Sequence, residues 1–306
     1  MISVLMIFVF QVGFSQGEVI SDSFIKKIKI QADVVYGSKY GVALTFDVFQ
    51  PPKSNGAAVV FMNSGGFVSG KVRYIDIDRN LEVKYLKKED LMIFPERFKY
   101  PPLAQFSMDE LMLRGFTVFD VRQGSDPKFT LDEITGDCKL AINFIKEHAG
   151  KFKIDANRIG VLGASSGGYL ASFMGTDTLG IKSVVVFYPV GYDLMRIKRD
   201  YPPVYDEFAC LKIDTTTLDK LSIKNRINSD AANFLIIYGK DDYPFVTIDS
   251  EEMAADLKKN GVKCEIIALE GTGHELRGKN GYNVQYGEFA RMKMVDWFVN
   301  TLLNNR

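Results

Sequence analysis

Residues 158–174 read RIGVLGASSGGYLASFM and carry the strongest structural signal in the chain. The segment opens with a short apolar run typical of a buried β-strand and closes with an apolar run of helical character. Between the two runs lies the pattern G-x-S-x-G, with Gly163, Ser165 and Gly167 at its defining positions. A serine on such a sharp strand-to-helix turn projects its hydroxyl from the edge of a sheet. This context predicts that Ser165 is a nucleophile.

Short apolar runs bounded by turn residues recur on both sides of this segment and predict strands of one sheet. Amphipathic stretches at 137–148 and at about 288–303 predict helices between and after them. Strands that alternate with helices predict an α/β fold with a mostly parallel central sheet, helices on both faces and strands buried on both faces. Before them, residues 29–50 predict an antiparallel edge hairpin. The further predicted strands are 57–62, 116–121, 184–187, 234–238 and 264–269.

The composition is that of an ordinary globular protein with a large core. The chain has 306 residues, 46% of them hydrophobic and 25% charged, which fits one α/β domain and excludes disordered and multi-span membrane classes. Lysine plus arginine number 38 and aspartate plus glutamate also number 38. Such a balance gives no net field that would attract nucleic acid or an anionic membrane. We therefore expect a small or neutral molecule as the partner.

The first sixteen residues differ from the rest of the chain. They carry no charged side chain, are almost continuously apolar from Ile2 to Val12, and then become small and polar. This profile predicts a signal peptide over 1–16 and a secreted or periplasmic protein. The single domain that length and composition predict then spans 17–306. The run is too short for a membrane span, so we expect no stable membrane insertion. A buried N-terminal segment or a fragmentary start is the alternative interpretation.

Two long segments interrupt the alternation of strands and helices. Residues 68–106 follow the first central strand, and residues 189–228 follow the fourth; both contain several aromatic side chains. Long ordered excursions over a sheet edge often form caps or substrate walls. Ordinary surface insertions are the competing interpretation for each.

A serine nucleophile needs a base, usually a histidine that a carboxylate orients. The chain has two histidines. His148 lies in a predicted helix beside its apolar face, which predicts a structural role. His274 follows the last predicted strand, and as the third member of the chain order serine, acid, histidine it is the predicted base. Two candidates for the acid, Asp241 and Asp242, follow the strand that ends near Tyr238. Asp242 is the third residue after Gly239, the usual position of the acid in this chain order, and Asp241 is the alternative.

An acyl-transfer site also needs backbone amides that point at the developing oxyanion. Gly65 and Gly66 follow the first central strand directly, and Ser166 follows the nucleophile. We predict these three amides as the donors; a plain glycine turn is the alternative for the first two.

The cysteines indicate neither a disulfide framework nor a reactive site. There are three of them, Cys138, Cys210 and Cys264, and none has a histidine nearby in the sequence. This pattern argues against a thiol nucleophile and against a zinc site, and it favours small core residues.

Five segments together resemble the α/β-hydrolase superfamily, and within it the group of acetyl esterases, feruloyl esterases and hormone-sensitive-lipase-like enzymes. The resemblance spans most of residues 40–303. It implies an α/β-hydrolase fold with cap insertions and hydrolysis of small carboxylic esters without a metal or an organic cofactor. Asn63 and Ser64 stand where this group usually has the histidine and first glycine of its oxyanion loop. The matching segments are LTFDVFQPP (44–52), NSGGFVSG (63–70), IDANRIGVLGASSGGYLAS (154–172), LIIYGKDD (235–242) and GTGHE (271–275).

Three functions are compatible with these residues. The first is a secreted carboxylesterase that removes acetyl or aryl-acyl groups from small molecules or carbohydrates. The second is a peptidase or a small-amide hydrolase, because the same three side chains can attack either carbonyl. The third is a binding protein that keeps the scaffold without catalysis.

Overall fold

The computed structural model of the protein describes residue 24 and residues 27–70, 108–279 and 281–304. The predicted signal peptide at 1–16 and nearly all of the first predicted insertion lie outside the described residues. Among the helices described, none is long and apolar enough to cross a bilayer.

One sheet of eight strands organises the described residues, in the order β1-β2-β4-β3-β5-β6-β7-β8. Strands β3 to β8 run parallel, and β2 pairs antiparallel with both β1 and β4. The predicted edge hairpin and the mostly parallel sheet are thus confirmed. The strands are β1 (Lys29–Lys39), β2 (Val42–Gln50), β3 (Ala58–Met62), β4 (Thr117–Arg122), β5 (Ile159–Ala164), β6 (Ser183–Phe187), β7 (Asn233–Gly239) and β8 (Cys264–Leu269).

Helices connect these strands and cover the sheet. The helix after β5 packs against β3, β5 and β6, and the last helix packs against β5, β6 and β7. The helices are α1 (Met108–Leu113), α2 (Leu131–Glu147), α3 (Ala149–Phe152), α4 (Ser166–Gly175), α5 (Leu194–Asp200), α6 (Pro202–Glu207), α7 (Thr215–Leu221), α8 (Pro244–Lys259) and α9 (Val284–Leu302). A two-stranded ribbon, β9 (Arg277–Gly278) with β10 (Gly281–Tyr282), precedes the last helix.

Helix α2 begins six residues before the predicted start. Thr130 caps it: its hydroxyl accepts the amide of Glu133, and the Glu133 carboxylate accepts the amide of Thr130. This capping box satisfies two amides that the first turn leaves without partners. Helix α9 likewise begins earlier than predicted, because Asn283 accepts the amide of Tyr286.

Strand β8 departs from the prediction that the central strands are buried on both faces. Most of its residues are only partly buried, because β8 pairs on one side only with the strands that the structure describes. By contrast, every residue of β3 and of β6 is buried.

The strand order reverses around β3, which lies between β4 and β5. In open α/β sheets, ligands bind beyond the carboxyl ends of the strands at such a switch point. The turn with Ser165 follows β5, and the loop with Gly65 and Gly66 follows β3. Both candidate segments therefore lie at this crevice.

The second predicted insertion, 189–228, folds into α5, α6, α7 and two short 3-10 turns. It packs over the loops at the carboxyl edge of the sheet. The Phe208 ring lies 5.5 Å from the Phe67 ring, and the Tyr201 ring lies 5.1 Å from the Phe245 ring, both edge to face. We call residues 189–228 the cap.

Candidate active site

Ser165 lies on a strained turn between β5 and α4. Its φ is 53° and its ψ is −122°, a conformation that few residues other than glycine adopt. Glycines allow the turn: a Cβ at Gly163 would lie 2.0 Å from the Gly167 carbonyl oxygen, and a Cβ at Gly167 would lie 2.4 Å from the Met62 carbonyl oxygen. The strand, the turn and the helix therefore pack too closely for larger residues.

Ser165, His274 and Asp242 form a continuous chain of hydrogen bonds. The His274 Nε2 lies 3.0 Å from the Ser165 Oγ, and the His274 Nδ1 lies 3.0 Å from each Asp242 carboxylate oxygen. A carboxylate can only accept, so Nδ1 carries the proton and Nε2 accepts from the serine hydroxyl. This arrangement can remove the proton from Ser165.

The structure distinguishes the two candidate acids. The Asp242 side chain has no exposed surface, and its Oδ1 also accepts the amide of Tyr243 at 2.7 Å. Asp241 is exposed, and its backbone amide donates to the Thr272 carbonyl at 2.8 Å. Asp242 thus contacts the histidine, while Asp241 joins the loops through its main chain.

The loops that carry the acid and the base lie against each other. A Cβ at Gly239, at the end of β7, would lie 2.2 Å from the Thr272 carbonyl oxygen. The Gly273 amide donates to the Arg277 carbonyl at 2.7 Å, which fixes the chain just before His274. The position of the imidazole is therefore set by the backbone on both sides as well as by Asp242.

The loop after β3 docks onto the first turn of α4. The Ser166 Oγ accepts the amide of Phe67 at 2.9 Å and lies 3.0 Å from the Ser64 Oγ. The amide of Gly167 donates to the Ser64 carbonyl at 3.3 Å. These bonds hold the loop beside the nucleophile.

The predicted oxyanion donors differ in their availability. The amide of Gly65 donates to the Val68 carbonyl at 3.0 Å, so the structure does not support Gly65 as a donor. That pairing closes a tight reversal of the chain, which for Gly65 agrees with the alternative of a plain glycine turn. Within the described part of the chain, no acceptor pairs with the amides of Gly66 and Ser166. Gly66 has a φ of +59°, which glycine adopts at no steric cost.

Hydrogen bonds of Asn63 hold the two ends of this loop together and join it to Asp120 of β4. The Asn63 Nδ2 donates to the Gly70 carbonyl at 2.7 Å and to the Asp120 Oδ1 at 2.9 Å. One side chain thus joins both ends of the loop. Asp120 is fully buried, and burial raises the pKa of its carboxyl to about 7, against the hydrogen bond from Asn63 and the charge of Arg122.

One aromatic residue near the site, Tyr188, was missed from the sequence, and the contact of a second, Phe208, could not be predicted. Tyr188 directly follows β6, has a φ of 38°, and its ring lies 4.7 Å from the imidazole of His274. Its place after a strand was the available signal. Phe208 of the cap would lie 3.3 Å from a Cβ at Gly66, and no local sequence pattern indicates this contact.

The other histidine and the cysteines have structural positions. His148 follows α2; its ring stacks on Phe144 at 4.1 Å, and its Nδ1 lies 2.9 Å from the Phe144 carbonyl. Cys138 and Cys210 are buried, and Cys264 is partly buried. Among the residues that the structure describes, no group of three or more potential ligands could hold a metal ion.

Comparison with solved structures defines the class of fold. The protein has the α/β-hydrolase fold, with matches that include esterase 2 of Thermogutta terrifontis phosphoramylated by tabun (TM-score 0.64, 19% identity, 89% of this chain and 94% of that chain). Similar figures hold for a truncated carbohydrate esterase from gut microbiota (TM-score 0.62, 19% identity, 89% and 96%). They also hold for an acetyl ester-xyloside bifunctional hydrolase from Caldicellulosiruptor lactoaceticus (TM-score 0.62, 19% identity, 87% and 95%).

Comparison with protein families finds one matching family, over part of the chain. Residues 99–190 match the model of the BD-FAE family. The matched segment includes Ser165 and its turn but covers less than half of the chain, so it establishes similarity to that family. No curated protein matches the sequence significantly.

Proposed function

We propose that the protein is a serine hydrolase that cleaves small carboxylic esters, among them acylated carbohydrates, through an acyl-enzyme. The hydrogen-bonded chain from Ser165 through His274 to the buried Asp242 carries this proposal. The match to the BD-FAE family and the likeness to solved esterases support the choice of an ester.

The geometry supports a two-step reaction. In the first step the Ser165 Oγ attacks the ester carbonyl carbon while its proton passes to the His274 Nε2. The carbonyl oxygen becomes an oxyanion, for which the amides of Gly66 and Ser166 are the available donors. The tetrahedral intermediate collapses, the carbon–oxygen bond to the alcohol breaks, and His274 returns the proton to the leaving oxygen. In the second step water takes the place of the alcohol and releases the acid.

A matched pair of substrates tests both the nucleophile and the bond. We expect turnover of p-nitrophenyl acetate, and a loss of about 10⁴-fold or more in kcat in Ser165→Ala, because the three side chains act as a unit. Ser54→Ala, at an exposed loop serine, is the matched control and retains wild-type turnover. Unchanged activity in Ser165→Ala would refute the proposal. Faster hydrolysis of p-nitroacetanilide than of the ester would favour an amidase instead.

We also propose that the protein is exported. The support is the uncharged, apolar composition of residues 1–16. Expression of the full chain in a bacterium, followed by N-terminal sequencing of the periplasmic fraction, tests it. A mature chain that begins near residue 17 is the expected result, and an intact chain retained in the cytoplasm would contradict it.

A further inference from the structure

Tyr243 is an exposed aromatic residue beside the candidate catalytic histidine. Its exposed fraction is 57%, and its ring centroid lies 5.6 Å from that of His274, with the ring planes tilted by 55°. Single exposed apolar residues are common on protein surfaces and need no explanation by themselves. The position against His274 is what calls for an explanation here.

Packing and backbone hydrogen bonds together hold Tyr243 in place. It stacks on the ring of Phe245 at 5.5 Å with an interplanar angle of only 6°. Phe245 is nearly fully buried, and Tyr201 of the cap packs edge to face against its ring. The backbone of Tyr243 is also fixed, because its amide donates to Asp242 and its carbonyl accepts the amide of Val246. Tyr243 therefore presents a preformed flat surface to solvent.

The chemistry of the reaction decides which half of a substrate this surface meets. His274 must return a proton to the leaving oxygen, so that oxygen has to lie within hydrogen-bond reach of Nε2. The alcohol half of the ester therefore lies on the histidine side. Of the two available oxyanion donors, Gly66 belongs to a separate loop, against which Phe208 packs, and Ser166 begins α4.

We propose that Tyr243 is a specificity-determining residue, on which the ring of the substrate's alcohol half stacks. A flat phenol and the C–H face of a sugar share this chemistry, because each buries apolar surface against an aromatic face. The inference rests on the proposed ester hydrolysis and adds a substrate class: esters whose alcohol carries a ring.

The proposal is tested by comparing KM among esters that differ only in their alcohol, so that the result does not depend on the absolute activity. The substrates are phenyl acetate and an O-acetylated methyl xyloside, with ethyl acetate as the ester whose alcohol has no ring. In Tyr243→Ala we expect KM for the ring-bearing substrates to rise about tenfold relative to KM for ethyl acetate, with kcat little changed. Tyr243→Phe keeps the ring and restores the selectivity.

Two controls keep the outcomes apart. Tyr40→Ala removes another exposed tyrosine, in the turn between β1 and β2, and leaves the selectivity unchanged. Urea unfolding of each variant checks that the fold is intact. A rise for the phenol ester alone, or for the sugar ester alone, identifies the ring that the site takes.

Other results would overturn the inference. An equal loss on all three esters would mean that Tyr243 acts only through His274. An unchanged KM for both ring-bearing substrates would mean that no stacking occurs. If the wild-type protein hydrolyses none of the esters, the proposed function itself fails before any variant is compared.

Discussion

At the scale of single residues, the position of His274 depends on groups that are themselves fixed. Asp242 is buried, and one of its oxygens accepts both the Tyr243 amide and the imidazole N–H. The Tyr188 ring lies 4.7 Å from the imidazole. Such surroundings leave the imidazole few alternative orientations. A well-oriented base loses little entropy when the reaction begins.

Replacement of the two neighbouring aspartates separates their roles. Asp242→Asn should lower kcat by about 10⁴-fold, because an amide in place of the carboxylate favours the wrong tautomer of His274. Asp241→Asn is the matched control and should keep kcat within about twofold of wild type. The Asp241 side chain is exposed, and the substitution leaves the backbone bond to Thr272 intact. Steady-state kinetics on p-nitrophenyl acetate measure both. A large loss in Asp241→Asn with none in Asp242→Asn would reverse the assignment.

The sequence predicted which residues form the chain of hydrogen bonds, because motif, chain order and position after a strand are local signals. It could not rank the oxyanion donors. The bond from the Gly65 amide to the Val68 carbonyl depends on how one loop closes, and the two glycines were compatible with both oxyanion donors and a plain turn. The contact of Phe208 with Phe67 joins segments far apart in the chain, so only the folded structure reveals it.

At the scale of elements, the turn between β5 and α4 depends on close approach of main chains. The Gly163 and Gly167 positions face backbone atoms, which cannot move aside as a flexible side chain can. The strained Ser165 is held by its amide, which donates to the Phe187 carbonyl of β6 at 3.0 Å. The surrounding sheet therefore determines the conformation of the nucleophile.

Two glycine-to-alanine changes should have opposite effects on stability. Gly163→Ala should lower the free energy of unfolding by about 3 kcal/mol, because the new methyl group would overlap the Gly167 carbonyl. Gly136→Ala, at an exposed position inside α2, should raise it by about 0.5–1 kcal/mol. Among the described residues outside its own helix backbone, nothing lies within 4 Å of that added methyl group. Urea unfolding measures both, and equal midpoints for the two variants would contradict this account of the turn.

Strand positions were predicted to within two residues, because apolar runs bounded by turn residues are strong signals for buried strands. The start of α2 was missed because the prediction began the apolar face at Cys138, although Leu131 and Ile134 already belong to that face. The exposure of β8 was missed for another reason: hydrophobic periodicity does not report how many neighbours a strand has in the sheet.

At the scale of the whole molecule, two buried carboxyls make the stability of the fold depend on pH. Asp120 lies at 3.7 Å from the Arg122 Nη1, while another nitrogen of the same guanidinium lies 2.8 Å from Asp47. Burial raises the pKa of Asp120 and that of Asp249 to about 7 each. The folded protein therefore holds protons on these groups that the unfolded chain has already released.

The sign of the effect follows from this difference. Asp120 contributes stability that is fully present below about pH 4, the ordinary range of an aspartate, and that is lost as the pH rises through about 7. Relative to Asp120→Asn, the wild-type protein should lose up to about 1.4 kcal/mol per pH unit across this window. Urea unfolding of both proteins from pH 4 to pH 8 measures it. A difference between the two that does not vary with pH would contradict the raised pKa.

Covalent labelling tests the central claim, an activated serine, most directly. The full chain is treated with a fluorophosphonate probe, and the modified peptide is mapped by mass spectrometry. We expect one stoichiometric label on Ser165, and its loss in His274→Ala, because the serine is reactive only when a base removes its proton. A folded protein that takes up no label, or takes it up on another residue, would contradict the account.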